Sequence, residues 1–447
     1  MAEYTQLALF DPFEEAANYH YCARTGHFAI LYADGDSKRQ RSYKLTDMAK
    51  VLGMVDTSRD TWLSQAEFFK PNRRVVNLAR IGLLFADLDT YYQPWAKGRT
   101  PEQLAQSVLW HCHQEGIPTP SILVFSGRGI QAKWLMDGAL PRGALPRWNA
   151  CQRHLVDRLA HIGADPAAKD ASRVLRLVNT VNSKSGEVCR VVHVENGLDG
   201  QPIRYSFEYL AEILLPVARW DIEKQRKERI ERKQLKLVSG GRSSNLRGFS
   251  GGQLAWHRME DLRFLGELRG GVKEGDRMLH LFWRLNFLLQ SGATNSVQMY
   301  HEAAALAREI DPSWSYGSKE LMTLYSKARQ HQNGVKIEFG GKKYSPLYTP
   351  RNDTLINLFQ ITDNEQRALR TLISKDMAKE RDRERDTARR RAAGAVDRET
   401  YVESTKAKST AKQAQALALK AQGLSVRAIA AQMGISKSAV SRYIAES

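Results

Sequence analysis

Cysteine is scarce in this chain. Cys22, Cys112, Cys151 and Cys189 are its only four, and no two form a CxxC pair. That spacing excludes a disulfide framework and a sequence-local zinc site. His111-Cys112-His113 does not restore a metal site, because it falls in the helix-like stretch LAQSVLWHCHQEG, where adjacent side chains face different directions. Long apolar runs are also missing: none approaches the roughly 20 residues that a membrane-spanning helix needs. The opening residues carry neither the basic nor the apolar region of a secretory signal. A cytoplasmic protein with reduced cysteines and no membrane partner is expected. Neither a histidine cluster nor a tyrosine placed as a nucleophile is present, which counts against a metal-dependent nuclease or a relaxase.

Acid is in deficit. With 67 Lys and Arg against 49 Asp and Glu, the formal net charge is +18 over 447 residues. Such an excess attracts polyanions, so the expected partner is DNA or RNA. A 42% apolar content supports a sizeable core divided among two or three domains.

Three short stretches carry the chemistry. In IGLLFADLDTYY, alternation places Asp87 and Asp89 on one face of a strand, about 7 Å apart. Two such carboxylates repel each other unless cations, donors or water compensate, and two-metal phosphoryl transfer uses this pairing; a core strand entering solvent would read the same way. In SILVFSGRGIQAKWLM two strands flank Ser126, Gly127, Arg128 and Gly129. The glycines free backbone N–H groups to approach an anion, and Arg128 offers a planar fork to phosphate. In GADPAAKDASRVLRLVNTVNSKSG lie Asp165, Asp170, the strand RVLRLV with Arg173 and Arg176, then Asn179, Asn182 and Lys184. On a regular strand those two arginines point to opposite faces.

The order of these motifs resembles the archaeo-eukaryotic primase superfamily, and within it the replication primases of plasmids and mobile elements, over roughly residues 20–210. The resemblance implies two Mg²⁺ or Mn²⁺ ions on Asp87, Asp89 and Asp165, with Asp170 as the fallback third ligand. It places the incoming nucleotide on Ser126, Arg128, Gln131, Arg173, Arg176, Asn182 and Lys184, with Lys184 gripping the triphosphate. Two departures stand out: Gln131 where the family has histidine, and Val178-Asn179 where it has proline-glycine. They motivate an alternative, a non-catalytic origin-binding initiator or transcriptional regulator on a degenerate primase fold.

Residues 1–15 read as a leader whose Gln6, Leu7, Leu9 and Phe10 resemble the short motif that docks bacterial replication proteins on the sliding clamp. Residues 16–215 alternate strands and helices, an α/β (α+β) catalytic domain with a mixed sheet. Residues 216–265 read as a basic linker. Residues 266–335 read as an all-α domain resembling the helical domain that follows the catalytic domain in mobile-element primases, and 336–408 as a second charged linker. Residues 409–447 read as helix, helix, tight turn, helix, with Ser425 and Ser436 as N-caps and Gly434 in the turn. They resemble the helix-turn-helix of resolvase-type DNA-binding proteins, which implies that Lys437, Ser438, Ser441 and Arg442 face DNA. The expected protein is a primase or primase-polymerase initiating replication of a bacterial plasmid or integrated element. Its partners would be a single-stranded DNA template, nucleoside triphosphates, double-stranded origin DNA, the sliding clamp and a helicase.

Overall fold

A computed structural model of the chain describes residues 11–216, 244–394 and 398–445. It comprises two units, Met1–Leu372 and Ile373–Ser447. Gln6, Leu7, Leu9 and Phe10 lie outside the described residues.

The first unit is built on a nine-stranded sheet of β1 His27–Asp34, β2 Ser37–Lys44, β3 Thr61–Ser64, β4 Ala66–Phe68, β5 Leu78–Leu88, β6 Ile122–Phe125, β7 Ile130–Pro141, β8 Val174–Arg176 and β9 Arg190–Val194. The order is β8-β3-β1-β4-β5-β7-β6-β9, with β2 beside β1. All strand ladders are antiparallel, and a parallel bridge joins Met136 to Tyr205. The α+β class and the SILVF–IQAKWLM hairpin stand as expected. β2, SKRQRSYK, shows no apolar alternation because it is a largely exposed strand pairing with β1, so its pattern is invisible to a hydrophobic reading.

β5 explains the rest of the architecture. Apart from Arg80 and Asp87 every residue in it is buried, as an apolar strand covered on both faces must be. β7 completes one of its edges, but β4 covers the other only from Leu78 to Ile81. Beyond that point buried main-chain groups need other partners. The helix Leu145–Arg158 supplies them: Trp148 Nε1 donates to the Leu83 carbonyl at 2.9 Å, Gln152 Nε2 donates to the Phe85 carbonyl at 2.6 Å, and Gln152 Oε1 accepts from the Phe85 N–H at 3.2 Å. Further along, the Asp165 N–H donates to the Asp87 carbonyl at 2.8 Å and the Asp89 N–H to the Gly163 carbonyl at 2.8 Å.

Two expected linkers are corrected. Residues 217–243 lie outside the described residues, but Ser244–Leu268 is a helix. Its Ala255, Trp256, Met259, Leu262 and Leu265 are buried in one hydrophobic core with the sheet and with the helices Arg277–Gln290 and Met299–Ile310. Their helical spacing outweighs the charged composition around them. The joint is polar as well: Glu302, 1% exposed, accepts from the Val75 and Val76 N–H groups at 3.0 and 3.1 Å, and Arg142 pairs with Glu260 at 2.7 Å. Within 336–408, β10 Ile337–Phe339 and β11 Lys342–Tyr344 form a hairpin. Leu347, Leu355, Phe359, Ile361, Leu369 and Leu372 then enter the same core. Buried Asp261 fastens this return by accepting from the N–H groups of Arg370, Thr371 and Leu372 at 2.9, 2.6 and 2.9 Å.

The second unit is helical. Lys375–Ala392 is a charged helix laced by i,i+3 pairs such as Lys379 with Asp376 at 3.0 Å. Arg398–Ala421, Val426–Met433 and Lys437–Ala445 follow, around a core of Ala416, Leu419, Ile429, Ala430 and Val440.

Candidate active site and nucleic-acid interface

Asp87 is the one acidic side chain on β5, and Asp89 follows one residue beyond the strand, where Thr90–Tyr92 begins a 3-10 turn. Strict alternation therefore ends at Leu88, but the two carboxyls remain electrostatic neighbours. Burial pushes the Asp87 carboxyl up to about 7, and the negative charges of Asp89 and Asp165 add to that, against the opposing pull of Arg173 and Arg176. Asp89 is raised as well, first by burial and then by Asp165, while a hydrogen bond from Tyr91 and the charges of Arg128 and Arg173 oppose the shift.

The unfinished edge of β5 thus brings Asp165 to the pair. Gly163 makes the approach with φ +99°, a left-handed conformation that suits glycine. Asp170 accepts from Ser172 Oγ at 2.7 Å and is 3.8 Å from Arg173 Nε. Arg173 also reaches Asp165, Nη2 to Oδ2 at 3.4 Å, and the Ala167 N–H donates to Asp165 Oδ1 at 2.8 Å. Arg173 precedes β8, so strand alternation does not govern it. Arg176 lies within β8 and is engaged by Asp60, which also accepts from Ser183. Asp60 carried no motif, and nothing in its local sequence marks it.

The glycine turn sits against the same strand end. A Cβ on Gly129 would stand 2.2 Å from the Leu88 carbonyl oxygen, and one on Gly127, where φ is +90°, would stand 2.6 Å from Asn182 Cβ. Side chains at these two positions would push the turn off its supports. Asn182 binds the two motifs together: its Nδ2 donates to the Ser126 carbonyl at 2.9 Å and its Oδ1 accepts from the Lys184 N–H at 3.1 Å. The Lys184 residue is exposed beside that tie. The Arg128 guanidinium lies 3.9 Å from the Tyr91 ring centroid.

Gln131 pairs with Asp87 across β5 and β7, is 2% exposed, and its Oε1 has no hydrogen-bond partner among the described residues. Among the described residues no three His, Cys, Asp or Glu side chains converge as a ready metal-binding group. The donor chemistry nonetheless suits a divalent cation: hard carboxylate oxygens, one carboxyl held up to about 7 by burial and like charge, and an orphaned amide oxygen opposite it.

In the second unit, Ser425 Oγ accepts from the Ala428 N–H at 3.3 Å and Ser436 Oγ from the Ala439 N–H at 3.2 Å, while Gly434 closes the helix before the turn at φ +62°. Lys437, Ser438, Ser441 and Arg442 are all exposed on the last helix, opposite buried Val440.

The fold and these sites define an α+β protein with an acidic, glycine-turned strand end, extended by a helix-turn-helix. Residues 407–446 match the Homeodomain-like domain family. The chain is similar to a replication protein of Clostridium perfringens, 27% identical over 343 residues, which span 75% of this chain and 73% of that protein. Among solved structures it is similar to the primase-polymerase domain of cyanophage S-2L, with 19% identity, a TM-score of 0.32, and coverage of 44% of this chain and 91% of that one. It is also similar to the catalytic domain of primase RepB′ in complex with initiator DNA, with 15% identity, a TM-score of 0.28, and coverage of 51% and 100%. Among the described residues no helix is long and apolar enough to cross a membrane.

Proposed function

We propose that the chain is a cytoplasmic nucleotidyltransferase, a primase or primase-polymerase that makes primers on single-stranded DNA to begin replication of a bacterial plasmid or integrated mobile element. The observation that carries this reading is the Asp165 N–H donating to the Asp87 carbonyl, which leaves Asp87 under the charges of Asp89 and Asp165, beside a glycine turn tied through Asn182 to the Lys184 loop. Asp87 and Asp89, with Asp165, would hold two Mg²⁺ or Mn²⁺ ions, whose chemistry is to neutralise the negative charge that develops in nucleotidyl transfer. Arg128 and Lys184 bind the β and γ phosphates of the nucleoside triphosphate, and the Gln131 amide contributes an uncharged contact where a histidine would carry charge. Arg173 bridges Asp165 and Asp170 and orients the third carboxylate. The helix-turn-helix recognises double-stranded origin DNA through Lys437, Ser438, Ser441 and Arg442.

A second reading, an origin-binding initiator without catalysis, is favoured by the engagement of Asp165 with Arg173 and the Ala167 N–H. Incubating the protein with single-stranded templates, labelled nucleotides and Mg²⁺ or Mn²⁺ separates the two. Metal-dependent products that vanish in Asp89→Ala support the enzyme. Absence of product on every template, with duplex binding intact, supports the initiator. Docking of Gln6, Leu7, Leu9 and Phe10 on the sliding clamp, followed by helicase recruitment, completes the proposal. Removal of residues 1–12 is expected to abolish clamp pull-down and leave primer synthesis unchanged; continued pull-down refutes it.

A further inference from the structure

Beside the carboxylates lies a cavity of about 670 Å³ between the segment 90–101 and the glycine turn. Tyr91, Tyr92, Lys97, Arg99, Phe125 and Arg128 are among the residues that line it, and none of its lining residues is acidic. Tyr92 is 72% exposed, and its ring centroid is 4.2 Å from that of Tyr91. Large apolar rings are seldom left in water in adjacent pairs without a partner to cover them. Arg128 lies over Tyr91, and the Arg99 guanidinium lies 5.7 Å from the Trp95 ring centroid. Lys97 and Arg99 are exposed and form no ion pair with a carboxylate among the described residues. A wall of rings with cations at its rim and no acid is complementary to an aromatic polyanion.

We infer that this cavity is a stacking platform for single-stranded DNA, with an unpaired base on Tyr92 and the flanking phosphates on Lys97 and Arg99. The inference deepens the proposed function and rests on it, since it names where the template strand is held next to the reacting carboxylates. The exposure of Tyr92 favours a strand over a free nucleotide: a ring open to solvent stacks any passing base without sequence preference, whereas a mononucleotide is held by burial on most sides. Arg128, drawn over Tyr91, marks the border between the strand platform and the phosphate-binding turn.

The test is fluorescence anisotropy of the full-length protein with a labelled oligothymidylate, which cannot form a duplex for the helix-turn-helix. Tyr92→Ala is expected to weaken binding about tenfold, and Tyr92→Phe to restore it to within about twofold. The double variant Lys97→Ala, Arg99→Ala is expected to flatten the slope of log affinity against log salt by about 1.4, at about 0.7 per phosphate on a single strand. The thermal unfolding midpoint serves as the folding control, because duplex binding belongs to the other unit, and both are expected to stay unchanged in all three. Unaltered oligothymidylate affinity in Tyr92→Ala overturns the inference. So does a raised KM for nucleoside triphosphate with unaltered strand affinity, which would assign the cavity to the nucleotide base. If wild-type protein makes no product yet Tyr92→Ala loses strand affinity, the platform stands and the catalytic reading falls.

Discussion

Replacing Asp87 with asparagine is expected to stabilise the metal-free protein while abolishing primer synthesis. In the fold the Asp87 carboxyl keeps its proton up to about pH 7, because burial first, then Asp89 and Asp165, disfavour its anion. In the unfolded chain it ionises near the ordinary value of about 4. Between these values the folded state binds the extra proton, so the contribution of Asp87 to stability falls as pH rises through that window and is level above it. Linkage limits the cost of the raised Asp87 carboxyl to about 4 kcal/mol at pH 8 and about 1 kcal/mol at pH 5. Asparagine keeps the shape and never ionises. Its advantage over aspartate should therefore grow by about 1–3 kcal/mol from pH 5 to pH 8, or about 1–4 °C in melting temperature. Thermal melts in chelator at the two pH values measure this. At pH 8, Mg²⁺ should raise the wild-type melting temperature and leave Asp87→Asn nearly unmoved. An equal effect of the substitution at both pH values, or destabilisation at pH 8, refutes the reasoning.

Gly129→Ala sets a methyl group 2.2 Å from the Leu88 carbonyl oxygen, so the turn must withdraw from β5; a loss of about 1–3 kcal/mol in denaturant unfolding, with synthesis lost beyond what stability explains, is expected. Glu302→Ala strips the acceptor from two buried N–H groups and should cost about 2–3 kcal/mol by the same measurement, whereas an unchanged midpoint would show that the joint is not held there. Arg442→Ala should weaken duplex origin binding by about 1–3 kcal/mol in a gel-shift titration, with single-strand binding unchanged. Unchanged duplex affinity removes Arg442 from the DNA-reading face.

Local rules alone determined much of this protein. The helix Pro101–Gln114, the hairpin around Ser126–Gly129, the amphipathic helix Arg277–Gln290 and the C-terminal helix-turn-helix follow from periodicity, caps and glycine, each set within a few residues of chain. The candidate residues were legible for the same reason, since carboxylates after an apolar strand and glycines beside an arginine are local patterns. Tertiary structure decided the remainder. The backbone of Asp165 joins that of Asp87 because only the folded β5 leaves an edge that segment 163–165 completes. Arg176 goes to Asp60, 116 residues away in sequence, a partnership no local pattern encodes. Residues 244–265 and 345–372 looked like linker by charge, yet a few apolar side chains at helical spacing and the buried acceptor Asp261 fix them to the core. Composition averages over a segment, whereas burial is settled by the few side chains that find a complementary surface, and that surface exists only once the chain has folded.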